Sequence, residues 1–131
     1  MTALVYVDAS ALVKLAIAEA ESAATRLYLT GDVNIVASRI ALIEATRAAR
    51  RGDIERTPRW QDIVAVLSVR EVGESIANVA ATLDPANLRT LDAIHLATAL
   101  ELRAELDAFV TYDGRLAEAA RGHRLPVVSP A

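Results

Sequence analysis

Apolar residues follow two rhythms along this chain. Residues 3–7, 35–37, 109–112 and 125–128 are short apolar runs, and each is flanked by stretches in which apolar side chains recur every three or four positions. Short all-apolar strands between helices are the pattern of a parallel sheet covered on both faces. The 3.6-residue rhythm predicts helices over 10–18, 21–29, 38–51, 58–67, 74–83, 90–105 and 114–121, and residues 66–72 suit a further strand. Gly31-Asp32, Gly52-Asp53, Asp84-Pro85 and Asp113-Gly114 supply turns, and Pro58 suits the first turn of a helix. Strands and helices that alternate with short connections and no linker or repeat predict one α/β domain spanning residues 1–131. Its expected form is a three-layer sandwich with a central, mostly parallel sheet of four to five strands flanked by helices. Ligands of such sheets gather outside the carboxyl ends of the strands.

Composition narrows the chemistry. The chain has 131 residues, 53% hydrophobic and 24% charged, with no cysteine, two histidines and a formal charge of -3. A domain of this length buries roughly two thirds of its unfolded surface and folds without staples. The absence of cysteine excludes disulfide frameworks, thiol nucleophiles and thiolate metal sites, and two histidines cannot build a three-histidine zinc cage. Oxygen-ligand chemistry is what remains. No run of 18 apolar residues occurs, and Asp8 and Lys14 interrupt the first apolar stretch, which argues against a membrane span or signal peptide and for the cytoplasm. A mean hydropathy of +0.29 suggests apolar surface covered by a partner. The mildly acidic total offers nucleic acid no general basic field, so RNA binding would need a local patch.

Four carboxylates fall where such chemistry could be done. Asp8 ends the first strand in Val7-Asp8-Ala9-Ser10, and Asp113 repeats the arrangement in Thr111-Tyr112-Asp113-Gly114. Each also reads as an ordinary helix cap. Glu44 flanks the apolar face of its helix, where it either serves a site or pairs with Arg47 one turn on. Asp92 opens the helix at 90 and faces inward with His95 and Leu96, although the helix dipole alone would favour a carboxylate there. Together, four carboxylates edging apolar faces are costly unless they share a cation or take up protons. An all-oxygen set selects Mg²⁺ or Mn²⁺. Ser10 and Thr111, each two residues from a strand-end aspartate, are candidates to orient ligands or hold water, or else cap and strand residues. Carboxylates around hard dications suit phosphodiester hydrolysis, and the chain offers no convincing side-chain nucleophile.

At this point the residues resemble the PIN-domain ribonucleases, and among them the VapC toxins of bacterial toxin-antitoxin pairs. The matching pieces are Val7-Asp8-Ala9-Ser10, Glu44, the stretch from Leu88 to Ala99 containing Arg89-Thr90-Leu91-Asp92-Ala93-Ile94-His95-Leu96-Ala97-Thr98, and Thr111-Tyr112-Asp113-Gly114-Arg115-Leu116. The resemblance implies a Mg²⁺- or Mn²⁺-dependent endoribonuclease with Asp8, Glu44, Asp92 and Asp113 as its catalytic, metal-binding quartet and Ser10 and Thr111 in support. It also implies inhibition by a VapB-like antitoxin and a homodimer. Asp113 falls on the family's variable fourth position and could reach the metal through water.

For RNA, residues 47–59 hold Arg47, Arg50, Arg51, Arg56 and Arg59 against Asp53 and Glu55, a candidate phosphate track or a solvated helix end. Arg89, three residues before Asp92, is placed to touch a phosphate or to neutralise the acids. His95 reads as a satisfied core histidine, and Trp60 and Tyr6 as packing residues rather than base-stacking platforms. Three alternatives compete with the nuclease. An aspartyl phosphatase would want Asp-x-Asp where this chain has Asp8-Ala9-Ser10. A receiver-like binding module needs a lysine after a late strand, whereas Lys14, the one lysine, lies in the first helix. The third is an inactive relative that only engages its protein partner.

Overall fold

The computed structural model describes all 131 residues. Its elements run β1 (Ala3–Val7), α1 (Ala9–Ala16), α2 (Ser22–Tyr28), β2 (Val33–Ser38), α3 (Arg39–Arg51), α4 (Pro58–Ala65), β3 (Ser68–Arg70), α5 (Glu74–Ala81), α6 (Thr90–Glu101), β4 (Ala108–Val110), α7 (Gly114–Gly122) and β5 (Val127–Val128). All five strands are parallel, in the order β3-β2-β1-β4-β5. The three-layer α/β sandwich predicted from the apolar pattern is the fold.

Local chemistry explains where the elements begin. Asp8, Ser38, Thr57 and Asp113 each cap a helix by accepting a backbone N–H with the side chain, and Pro58 occupies the first turn of α4. Gly31 lies at φ 97, which a residue with a Cβ rarely adopts, and it turns the chain into β2. One boundary differs appreciably from the apolar rhythm. The helix expected over 90–105 stops at Glu101, and residues 102–105 are turn, because the chain must reverse before Asp107 donates its N–H to Leu4 and leads into β4 beside β1.

Alternation along the strands sends side chains to two cores. Val5 and Val7 join Leu12, Ala41, Ala45, Ala49 and Trp60 on one face. Tyr6 joins Leu96, Phe109, Leu116 and Ala120 on the other. Ala41, Ala45 and Ala49, spaced by four, give α3 a smooth inner stripe, and Glu44 stands on its flank beside Ala45. Trp60 is 4% exposed and Tyr6 fully buried, so both are packing residues.

The strand order sets the place of the site. From central β1 the chain steps outward through β2 to β3, then returns across β1 to build β4 and β5. The direction therefore reverses between β1 and β4, and the crevice at their carboxyl ends is the ligand position of an open parallel sheet. Asp8 follows β1 directly, and Thr111 to Asp113 follow β4.

Candidate active site

Asp8 is held by three donors. Its Oδ1 accepts Ser10 Oγ at 2.6 Å and the Ala11 N–H at 3.0 Å, and its Oδ2 accepts Thr111 Oγ1 at 2.6 Å. The same hydroxyls join the two loops: Ser10 Oγ accepts the Tyr112 N–H at 2.9 Å, and Thr111 Oγ1 accepts the Asp113 N–H at 3.0 Å. Capping and positioning, alternatives in the sequence, are thus one arrangement. Asp8 caps α1 while Ser10 and Thr111 lock its carboxylate at the crevice. Burial holds the Asp8 carboxyl above the usual carboxylate range, although those hydrogen bonds and His95 work in the opposite direction.

Asp113 caps α7 with Oδ1, accepting the N–H groups of Arg115 and Leu116 at 2.9 and 3.1 Å. Asp92, in the first turn of α6, makes no hydrogen bond or ion pair of its own and is half-buried. Its carboxyl is also raised, by burial first and then by the negative charges of Asp113, Asp8 and Glu44, with His95 opposing. Asp92 thus lies within electrostatic reach of the other three acids. No three acid or histidine side chains, however, stand close enough to share one ion as they are placed. In chemistry and charge the donor set fits a hard dication, which would relieve the repulsion that Asp92 records.

Glu44 does not pair with Arg47. Its Oε1 lies 2.8 Å from His95 Nε2, on α6, 51 residues away in the chain. His95 is 2% exposed with both ring nitrogens engaged, the second by Tyr6. It is a satisfied core histidine that also touches a site residue. The only sequence trace of this contact is that His95 follows Asp92 by three residues and so shares its side of α6.

Arg89 is the N-cap of α6, one turn before Asp92, and its carbonyl accepts the Ala93 N–H at 2.8 Å. The ion pairs of the chain use the Met1 ammonium, Lys14, Arg39, Arg70 and His95, leaving Arg89, Arg47, Arg50 and Arg51 outside any ion pair. Arg89 lines an open cavity of about 860 Å³ with Asp92 and Arg115, an exposed and equally unpaired arginine that carried no signal in the sequence beyond its place after Asp113-Gly114. A second hollow, of about 380 Å³, brings Ser10 and Glu44 together with Arg51. Lys14 lines this second hollow too, with its ammonium bound to Glu21 at 2.7 Å.

The raised Asp92 carboxyl makes stability pH-dependent in a stated direction. The folded form keeps its proton to higher pH than the unfolded chain does, so stability falls as pH rises from the ordinary aspartate value toward the raised one. In EDTA, melting scans from pH 4 upward are expected to show this decline, and Asp92→Asn to flatten part of it and melt higher at neutral pH. A variant that melts lower throughout would contradict the repulsion.

Comparison with known proteins gives a consistent result. The PIN domain family model matches residues 5–122. Ribonuclease VapC47 of Mycobacterium tuberculosis is 38% identical over 132 residues, covering 97% of each chain. Ribonuclease VapC46 of the same species is 39% identical over 129 residues, covering 98% of this chain and 99% of that one. Among solved structures, a toxin-antitoxin complex from Klebsiella pneumoniae superposes with a TM-score of 0.73 at 24% identity, covering 99% of this chain and 98% of that one. The M. tuberculosis toxin VapC20, described as cleaving the sarcin-ricin loop, superposes with a TM-score of 0.68 at 19% identity, covering 88% and 94%.

Proposed function

The chain belongs to the VapC branch of the PIN-domain family, and from that premise we propose that it is a Mg²⁺- or Mn²⁺-dependent endoribonuclease, the toxin of a toxin-antitoxin pair. The observation that carries this reading is the strand-end Asp8, locked by Ser10 and Thr111 at the topological reversal, with Asp92 close enough to feel the charges of Asp8, Asp113 and Glu44. The names of its relatives as ribonucleases support the substrate class.

Asp8, Asp92, Asp113 and Glu44 would hold the dication, with Asp113 reaching it directly or through water. When bound, such an ion polarises the phosphate and makes water acidic enough to attack at neutral pH. The protein's own contribution is orientation and charge. Ser10 and Thr111 keep the Asp8 carboxylate from rotating, the N-terminal end of α6 favours the Asp92 charge, and the capping bonds fix Asp113.

Substrate binding is assigned to the arginines on either side of the acids. Arg89 and Arg115 line the larger cavity together with Asp84, Asp92 and Glu118. Cations for phosphate beside carboxylates that accept from ribose hydroxyls or base amino groups suit a ribonucleotide better than a bare anion. Arg47, Arg50 and Arg51 on α3 continue the path beyond Glu44. Arg89→Ala, Arg115→Ala and the double change of Arg50 and Arg51 to Ala are expected to weaken binding of single-stranded RNA in EDTA. Each should also lower the slope of log affinity against log salt by about 0.7 for every phosphate that is no longer neutralised. An unchanged slope removes that arginine from the path.

Exposed Leu27, Ile43, Val66 and Leu91 support the further proposal that apolar surface is covered in the assembled state, by a VapB-like antitoxin and a second copy of the chain. No helix is long and apolar enough to cross a membrane. The deciding experiment for the function is cleavage of RNA by the purified protein with Mg²⁺ or Mn²⁺, against the same reaction in excess EDTA. Equal activity in the two would overturn the metal-dependent reading.

A further inference from the structure

A hydrogen-bonded chain runs from the centre of the sheet to the acidic edge. Tyr6 Oη lies 2.9 Å from His95 Nδ1, and His95 Nε2 lies 2.8 Å from Glu44 Oε1. Tyr6 and His95 are 0% and 2% exposed, so solvent does not compete for either contact, whereas Glu44 reaches the surface with 34% of its side chain. A carboxylate only accepts, so Nε2 must carry the hydrogen of the Glu44 contact; in a neutral ring Nδ1 is then an acceptor, and the phenol is the donor that matches it. Burial, reinforced by the charges of Asp8 and Glu44, raises the Tyr6 phenol far above its usual range, so that its proton stays in place to be donated.

Without this chain Glu44 has reason to turn away. It is a long, flexible side chain on the flank of α3, it lies within electrostatic reach of the like-charged Asp92, and Arg47 and Arg51 offer cations on the same helix. His95 holds it instead. Because His95 and Asp92 both belong to α6, three residues apart, one rigid helix sets the place of two of the four acids. We propose that His95, kept in its Nε2–H tautomer by Tyr6, is the positioning residue that holds Glu44 at the acidic edge, and that this chain sets the affinity of the site for a divalent cation. The proposal rests on the metal-dependent reading above.

Three variants and two readouts test it. In metal-free, ¹⁵N-labelled protein, long-range imidazole NMR of His95 is expected to show the Nε2–H tautomer, and Tyr6→Phe, which keeps the ring and removes the hydroxyl, to give a mixture. Calorimetric titration with Mn²⁺ is expected to show affinity reduced about 10- to 100-fold in His95→Leu, the loss typical when the hydrogen-bond partner of a metal ligand is removed. Tyr6→Phe should lose less. His95→Gln, whose amide nitrogen can stand near the position of Nε2, should recover most of the affinity, with melting checked for each variant. A dominant Nδ1–H tautomer in the wild type overturns the proposal, as does wild-type Mn²⁺ affinity in Tyr6→Phe and His95→Leu, or a His95→Gln no better than His95→Leu. Wild-type protein that binds no Mn²⁺ overturns the metal reading itself, and with it the affinity claim, whereas wild-type binding with indifferent variants sinks this proposal alone.

Discussion

Asp92→Asn is expected to reduce divalent-metal-dependent RNA cleavage by about a thousandfold or more, since a hard-ion site supplies several kcal/mol to the transition state and each 1.4 or so is a factor of ten. Of the four acids, Asp92 is the cleanest to change. It makes no hydrogen bond to the protein, it is half-buried, and its charge is repelled by Asp113, Asp8 and Glu44. The neutral amide therefore relieves strain in the metal-free fold while removing a ligand charge. Loss of activity with an equal or higher melting temperature is a combination that a merely structural residue would not produce. Asp8→Asn should be as inactive but less stable, because an amide nitrogen cannot accept the Thr111 hydroxyl that now bonds Oδ2 at 2.6 Å. Full cleavage by purified Asp92→Asn would refute the proposed role of the quartet.

The second large effect is on stability. Phe109→Ala should cost about 3–5 kcal/mol, a sizeable part of the roughly 5–15 kcal/mol that holds a domain of this kind together. Phe109 is fully buried at the middle of β4, paired with Tyr6 across the sheet and stacked on it, with centroids 5.2 Å apart and planes inclined by 10°. Little around it can collapse into the space, since Tyr6 is tied by its hydroxyl to His95 and the neighbouring Leu96, Leu116 and Ala120 sit on helices that pack the same face. Denaturant unfolding gives the measurement. A loss under about 1 kcal/mol would mean that the core on this face is not close-packed around the ring.

Comparison of the two effects separates function from fold along one strand pair. Phe109 stands on β4 and Asp8 directly follows the adjacent β1, yet Phe109 holds the sheet together and Asp8 uses its carboxyl end. In a parallel sheet the interior of each strand is buried on both faces, so its residues read as continuous apolar runs, and the chemistry is displaced to the first residues beyond. Asp8 and Asp113 were legible for that reason: a carboxylate directly after an apolar run marks a strand's carboxyl end whatever the rest of the chain does.

Glu44, His95 and the arginines illustrate the opposite case. On an isolated helix, Glu44 has one obvious partner, Arg47, and such an exposed pair is worth a few tenths of a kcal/mol. A buried imidazole left with an unmet nitrogen costs on the order of 1–3 kcal/mol, so once α6 packs against α3 the His95 contact wins. Arg89 and Arg115, at the starts of α6 and α7, share a cavity with Asp92 that no local spacing along the chain records.

What the sequence by itself determined is therefore everything set by short-range rules: the alternation of strands and helices, the caps at Asp8 and Asp113, the parallel sheet and the all-oxygen character of the acids. These depend on side-chain period, backbone preference and residue type, which act within a few positions of the chain. The tertiary structure alone decided which groups meet, that Ser10 and Thr111 grip the same carboxylate from 101 residues apart, and that Tyr6 reaches Glu44 through His95. Contacts between distant segments follow from how buried polar groups must be satisfied once the helices have packed, and no local period along the chain records that requirement.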